Sequence, residues 1–142
     1  MVFDFVQSPQ PESLVAGVEL YRRKSEEGFL DFNYHVILLP GQDGFEPAPR
    51  APERWEALLE AMGDVVALGV GSFKLFTSYK GALMLSDQEL IGGLARARDL
   101  GAVPLFHAEN GHAAFYGRNH VFASGITGAQ RSVSFFFFFF SR

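Results

Sequence analysis

Gly71-Ser-Phe-Lys-Leu-Phe-Thr-Ser-Tyr-Lys80 and Phe106-His-Ala-Glu-Asn-Gly111 decide how this chain folds. Each sets one polar, metal-competent side chain, Lys74 or His107, in an otherwise apolar run of strand character. Burying an amine or an imidazole is costly unless a partner satisfies it. Two such residues on neighbouring strands therefore point to a shared partner, for which a metal centre is the natural candidate. The interval between them has room for one helix, since a strand, a crossover helix and a parallel strand together take about 30 residues or more. Parallel α/β folds collect ligands at the carboxyl ends of their strands, where both residues stand. Alternation predicts Ser72, Lys74 and Phe76 on one face, with Phe73, Leu75 and Thr77 on the other. Lys74 then points inward while Phe73 and Leu75 pack against helices.

Outward from this pair, strand and helix alternate, the pattern of a parallel α/β sheet. Val2-Phe-Asp-Phe-Val6 reads as a strand, stopped by the proline-containing stretch that follows. A helix is expected over residues 13–26, with Leu14, Val18 and Tyr21 on one face and Gly28 behind it. Residues 32–39 read as the second strand, and residues 40–52, rich in proline and glycine, as a loop. Pro52 suits a first helical position, and Trp55, Leu58, Leu59, Met62, Val65 and Val66 follow at helical spacing. Ser86-Asp-Gln-Glu89 has the form of a capping box. Leu90, Ile91, Leu94, Ala97 and Leu100 are expected to face the core, with Gly101 as the carboxyl-terminal stop. Val103-Pro-Leu-Phe-His107 is the fourth strand, and residues 112–124 the last helix, weakened by Gly117.

Composition narrows the function classes. Of the 142 residues, 48% are hydrophobic and 20% charged, which fits a globular chain rather than a disordered one. The formal net charge is -4, and the longest basic run is Arg22-Arg23-Lys24, so nucleic-acid binding has no support. With no cysteine, neither a disulfide framework nor a thiolate metal site is possible. No apolar stretch reaches membrane-spanning length and the amino terminus lacks signal-peptide character, so the expectation is a cytoplasmic protein without membrane contact. Phe135 to Phe140 form an uninterrupted aromatic run with neither strand nor helical period. Phenylalanine codons are thymine-rich, so the run reads as translation into a pyrimidine-rich stretch, and as a physical object it is an aggregation hazard.

Ser-Phe-Lys-Leu-Phe-Thr-Ser-Tyr-Lys, the Leu-Gly-Ala that ends the third helix, and His-Ala-Glu-Asn-Gly together resemble the dihydropyrimidinase and hydantoinase branch of the amidohydrolases. Weaker similarity extends from Phe3-Asp-Phe-Val to Gly125-Ile-Thr-Gly128. The resemblance implies a partial (β/α)8 TIM barrel of about four βα units over residues 1–128, with residues 129–142 as a tail foreign to the family. It also implies a cyclic amide hydrolase acting on dihydropyrimidines or hydantoins, with two Zn2+ ions bridged by a carbamylated lysine, in a homotetramer. On that reading Lys74 is the bridging lysine, His107 a histidine ligand, and Tyr79 the catalytic and substrate-binding tyrosine that hydrogen-bonds the substrate carbonyl.

The chemistry explains these residue types. An ammonium is a poor ligand, but a neutral amine that takes up carbon dioxide becomes a carbamate, an anionic oxygen donor able to bridge two cations. Metal-bound water then attacks the ring amide, and a tyrosine hydroxyl donates to the oxyanion. The family's paired His-x-His ligands, a further histidine and a catalytic aspartate have no counterpart, since His35, His107, His112 and His120 form no such pair. The expectation is therefore a fragment that is inactive on its own, because a barrel takes about 250 residues. The same branch includes scaffold proteins of the collapsin response mediator type, in which the position of Lys74 is commonly glutamine. Glutamine cannot be carbamylated, so Lys74 points to the enzyme side. His35 and Trp55 read as structural, and Glu109 and Asn110 as braces of the loop after the last strand.

Overall fold

Among the described residues four strands, β1 (Val2–Val6), β2 (Phe32–Ile37), β3 (Ser72–Phe76) and β4 (Val103–His107), alternate with four helices. The helices are α1 (Leu14–Ser25), α2 (Pro52–Ala67), α3 (Asp87–Asp99) and α4 (Gly111–Ala123). The computed structural model describes residues 1–8, 13–39 and 52–125. Most of the loop expected over 40–52 and the phenylalanine run lie outside the described residues.

All strand pairs are parallel and the sheet order is β1-β2-β3-β4, so chain order and spatial order coincide. A doubly wound sheet would reverse direction at some point and carry helices on both faces. Here α1, α2 and α3 supply one layer. Val6, Tyr34, Val36, Phe73 and Leu75 turn to that layer and are each less than a tenth exposed, meeting Leu14, Val18, Leu58, Met62 and Val65. The alternation of strand and helix predicts the parallel sheet, and the single layer of helices on one face fits the arc of a (β/α)8 barrel that the resemblance implies. Its other face holds Phe3, Phe5, His35, Lys74, Leu105 and His107, and none of these is fully buried.

Helix boundaries follow their local chemistry. Ser13 caps α1 by accepting from the Ala16 amide. Ser86 accepts from the Glu89 amide while the Glu89 carboxylate accepts from that of Ser86, which is the predicted capping box. α3 ends at Gly101, whose φ of +65° is the left-handed conformation that glycine adopts without a Cβ clash. β2 is shorter than expected, although the Leu38 amide still reaches the Lys74 carbonyl at 2.9 Å. No helix among the described residues is long and apolar enough to cross a membrane.

One expected core residue is misplaced by the sequence pattern. Ile91 is 64% exposed. Gly92 and Arg96 turn towards α2, where they approach Trp55 and Leu59. Ile91 therefore falls on the opposite flank of α3, which no described helix covers. Leu75→Ala should cost about 2–5 kcal/mol because it opens a cavity in a fully buried site, whereas Ile91→Ala should stay within about 0.5 kcal/mol. Urea midpoints at an unchanged slope would separate the two.

Candidate functional site

Parallel pairing places Lys74 opposite Leu105 and Phe76 opposite His107. Lys74 and His107 thus share the open face, offset by one two-residue step rather than directly abreast as the spacing suggests. Phe76 links them. The Lys74 Nζ stands 5.3 Å from the Phe76 ring centroid, and the His107 ring stacks on the same phenylalanine at 5.7 Å. A second ring, Phe5 of β1, lies 5.7 Å from the amine. Burial of the two polar groups is incomplete: Lys74 is half-buried and the His107 side chain 35% exposed. The premise of two fully buried polar groups is corrected here, because no described element covers this face.

The loops at the carboxyl ends of β3 and β4 complete the rim. Tyr79 folds over it, its ring 5.1 Å from His107 and 5.8 Å from Phe76. Its φ of +60° is the left-handed region, where a bulky side chain is strained by about 1–3 kcal/mol. The Tyr79 carbonyl compensates by accepting from the amides of Ala82 and Leu83. Lys80, the next residue, donates to His112 Nδ1 at 3.1 Å. The structure therefore brings Lys74, His107 and Tyr79 to one end of the sheet.

Two contacts escaped the sequence reading. Glu109 Oε2 lies 3.2 Å from His107 Nε2. An ionised carboxylate only accepts, so Nε2 is the donor in this contact, which in the neutral ring leaves the lone pair on Nδ1. A ring held this way has one nitrogen fixed and the other free to coordinate, the arrangement typical of metal-binding histidines. The second contact is Thr77, whose Oγ1 donates its proton between the carbonyls of His107, at 2.8 Å, and Glu109, at 2.6 Å. The Thr77 amide also reaches the His107 carbonyl, and the Gly111 amide returns to the Thr77 carbonyl. This knot ties the two loops together. A Cβ at Gly111 would lie 2.6 Å from the Thr77 carbonyl oxygen, so only glycine permits the approach. The expectation that Asn110 braces this loop is met, since its side chain caps α4 by accepting from the Ala113 amide.

Next to Thr77, the Ser78 hydroxyl is buried without a hydrogen-bond partner among the described residues. Two adjacent hydroxyls should therefore respond with opposite signs. Thr77→Val should cost about 1 kcal/mol by releasing two carbonyls, with Thr77→Ser close to neutral. Ser78→Ala should be neutral or stabilising by about 1 kcal/mol. Chemical denaturation of the three variants checks the pair.

No protein-family model matches the chain. A dihydropyrimidinase from Arabidopsis thaliana is 38% identical over 130 residues, which cover 92% of this chain and 22% of that protein. The mouse dihydropyrimidinase-related protein 5 is 37% identical over 83 residues, covering 58% of this chain and 14% of that one. A solved D-hydantoinase superposes with a TM-score of 0.70 at 30% identity, covering 87% of this chain and 24% of its own. The shared segment contains both strands that carry Lys74 and His107 and the helices between and around them. By sequence and by backbone, this chain belongs to the dihydropyrimidinase and D-hydantoinase family, and it spans about a quarter of the length of the relatives it matches.

Proposed function

We propose that this chain forms one arc of the active-site wall of a cyclic amide hydrolase that opens the ring amide of dihydropyrimidines or hydantoins. The observation that carries the reading is the grouping of Lys74, His107 and Tyr79 around Phe76 at the carboxyl rim of a barrel arc. Lys74 takes the role of the bridging carbamate and His107 that of a ligand through Nδ1, with Glu109 fixing the ring. Tyr79, at the mouth of the rim, donates its phenolic proton to the substrate carbonyl. The homotetramer of the reading rests on the resemblance alone, and the cytoplasmic setting on the sequence pattern alone.

Among the described residues the donor set does not amount to a metal site. No group of three His, Cys, Asp or Glu side chains among the described residues could hold an ion, and catalytic zinc takes about three protein ligands. Lys74 and His107 are two donors to a centre that needs others. The arc therefore supplies part of the wall and does not turn over substrate alone.

A second reading, a non-catalytic scaffold, is motivated by the likeness to dihydropyrimidinase-related protein 5. A transplant separates the two. Residues 1–125 would replace the matching stretch of the Arabidopsis relative, and opening of dihydrouracil would be followed. The chimera should be active, and Lys74→Gln within it should lower the rate about 1000-fold, the equivalent of several kcal/mol of lost transition-state stabilisation. A chimera that folds as its host yet leaves the ring closed with Lys74 in place would favour the scaffold.

A further inference from the structure

Tyr79 stands between two ties that run to the same end of α4. Ahead of it in the chain, Thr77 is bound to the β4–α4 loop through its hydroxyl and amide, and through the Gly111 amide. Behind it, Lys80 Nζ donates to His112 Nδ1 at 3.1 Å and lies 5.2 Å from the centroid of the Phe115 ring. Gly111 and His112 are the first two residues of α4. An ammonium only donates, so the lone pair of His112 Nδ1 faces Lys80. His112, Phe115 and Arg118 follow at three-residue intervals, which makes them neighbours along one helix row. The Arg118 guanidinium lies 4.9 Å from the same phenylalanine ring, so that ring has a second cation against it.

Lys80 itself sits between two left-handed residues, Tyr79 at φ +60° and Gly81 at φ +85°. The Tyr79 carbonyl accepts from the Ala82 amide across this turn. A left-handed tyrosine persists only where its surroundings over-determine it. The Lys80 contacts are exposed and individually weak, but they act on the residue next to the strained one, where a small loss changes the direction of the ring.

We propose that Lys80, acting through His112 and Phe115, is a positioning residue that holds the Tyr79 phenol at the rim, where it meets the substrate carbonyl. The inference rests on the hydrolase reading for what Tyr79 does, and on the contacts alone for where Tyr79 stands. Lys80 touches neither substrate nor metal in this role. Its effect reaches the reaction only through the aim of the phenol, so it belongs to the transition state rather than to ground-state binding.

Two measurements test the tie. In the active chimera, Lys80→Met, which keeps the length of the side chain and removes its charge, should lower kcat about tenfold and leave KM within about twofold. Lys80→Arg should restore most of the rate, and His112→Ala should reproduce part of the loss. In a Tyr79→Phe background, Lys80→Met should lower kcat by less than about twofold, because the group it aims is already gone. The second measurement does not use activity. In the full chain with labelled tyrosine rings, the nuclear Overhauser cross-peak between Tyr79 and His107, assigned by its loss in Tyr79→Phe, should survive Lys80→Arg and vanish in Lys80→Met at unchanged far-UV circular dichroism. A cross-peak that survives Lys80→Met, an unchanged kcat, or a further tenfold loss in the Tyr79→Phe background would each overturn the proposal. A chimera that opens no ring overturns the hydrolase reading instead, and the cross-peak still decides whether Lys80 holds Tyr79 in place.

Discussion

The two-residue period of β3 is the constraint on which the rest depends. Phe73 and Leu75 are fully buried beneath the helices, and each such side chain contributes about 1.5–3 kcal/mol relative to exposure. A slip of one residue would expel both from the core and drive Lys74 under the helix layer. The aim of the lysine is thus set by its apolar neighbours. The same rule holds in β2, where buried Tyr34 and Val36 flank His35 and turn it to the concave side. There its Nδ1 meets the Ser72 hydroxyl at 2.6 Å and its ring stacks on Phe3.

The strands fix direction, and the loops behind them fix position. Thr77 is the first residue past β3, yet its hydroxyl reaches two carbonyls at and just past the end of β4. Closeness of the two loops in turn demands glycine at position 111. Strain accompanies this order: Tyr79 keeps a left-handed backbone while its ring rests against His107 and Phe76. Strain of this kind persists only where surrounding contacts over-determine it, and the turn through Ala82 and Leu83 supplies them.

Most of the architecture was legible because it is written in short-range patterns. The elements with expected bounds, β1, α1, β2, β4 and α4, fall within a residue or two of them. The capping box at Ser86, the glycine stop at 101 and the alternation in β3 each depend on neighbours a few positions apart. What escaped the sequence depends on residues brought together by the fold. Nothing near Thr77 announces that its hydroxyl will serve carbonyls some thirty residues away. Glu109 looked like a loop brace, and only the fold shows its carboxylate against the His107 ring. Ile91 has the spacing of a core residue, but spacing does not say which flank of a helix a neighbour will cover. The Lys74–His107 offset was hidden for a similar reason, since sequence separation specifies the strand but not its register.

The surroundings of Lys74 carry a final consequence. Its amine is placed over the rings of Phe5 and Phe76, with no carboxylate salt bridge recorded to it among the described residues. An ion pair would compete with any other use of the nitrogen. Cation–π contacts at a partly exposed site are worth only about 0.5–1 kcal/mol each, so the group can be given up to a stronger partner at small cost. Glu109, an acid in the loop behind β4, is engaged by His107. The rim thus engages its histidine through a carboxylate and its lysine through aromatic rings alone, a division that fits the roles proposed for the two groups.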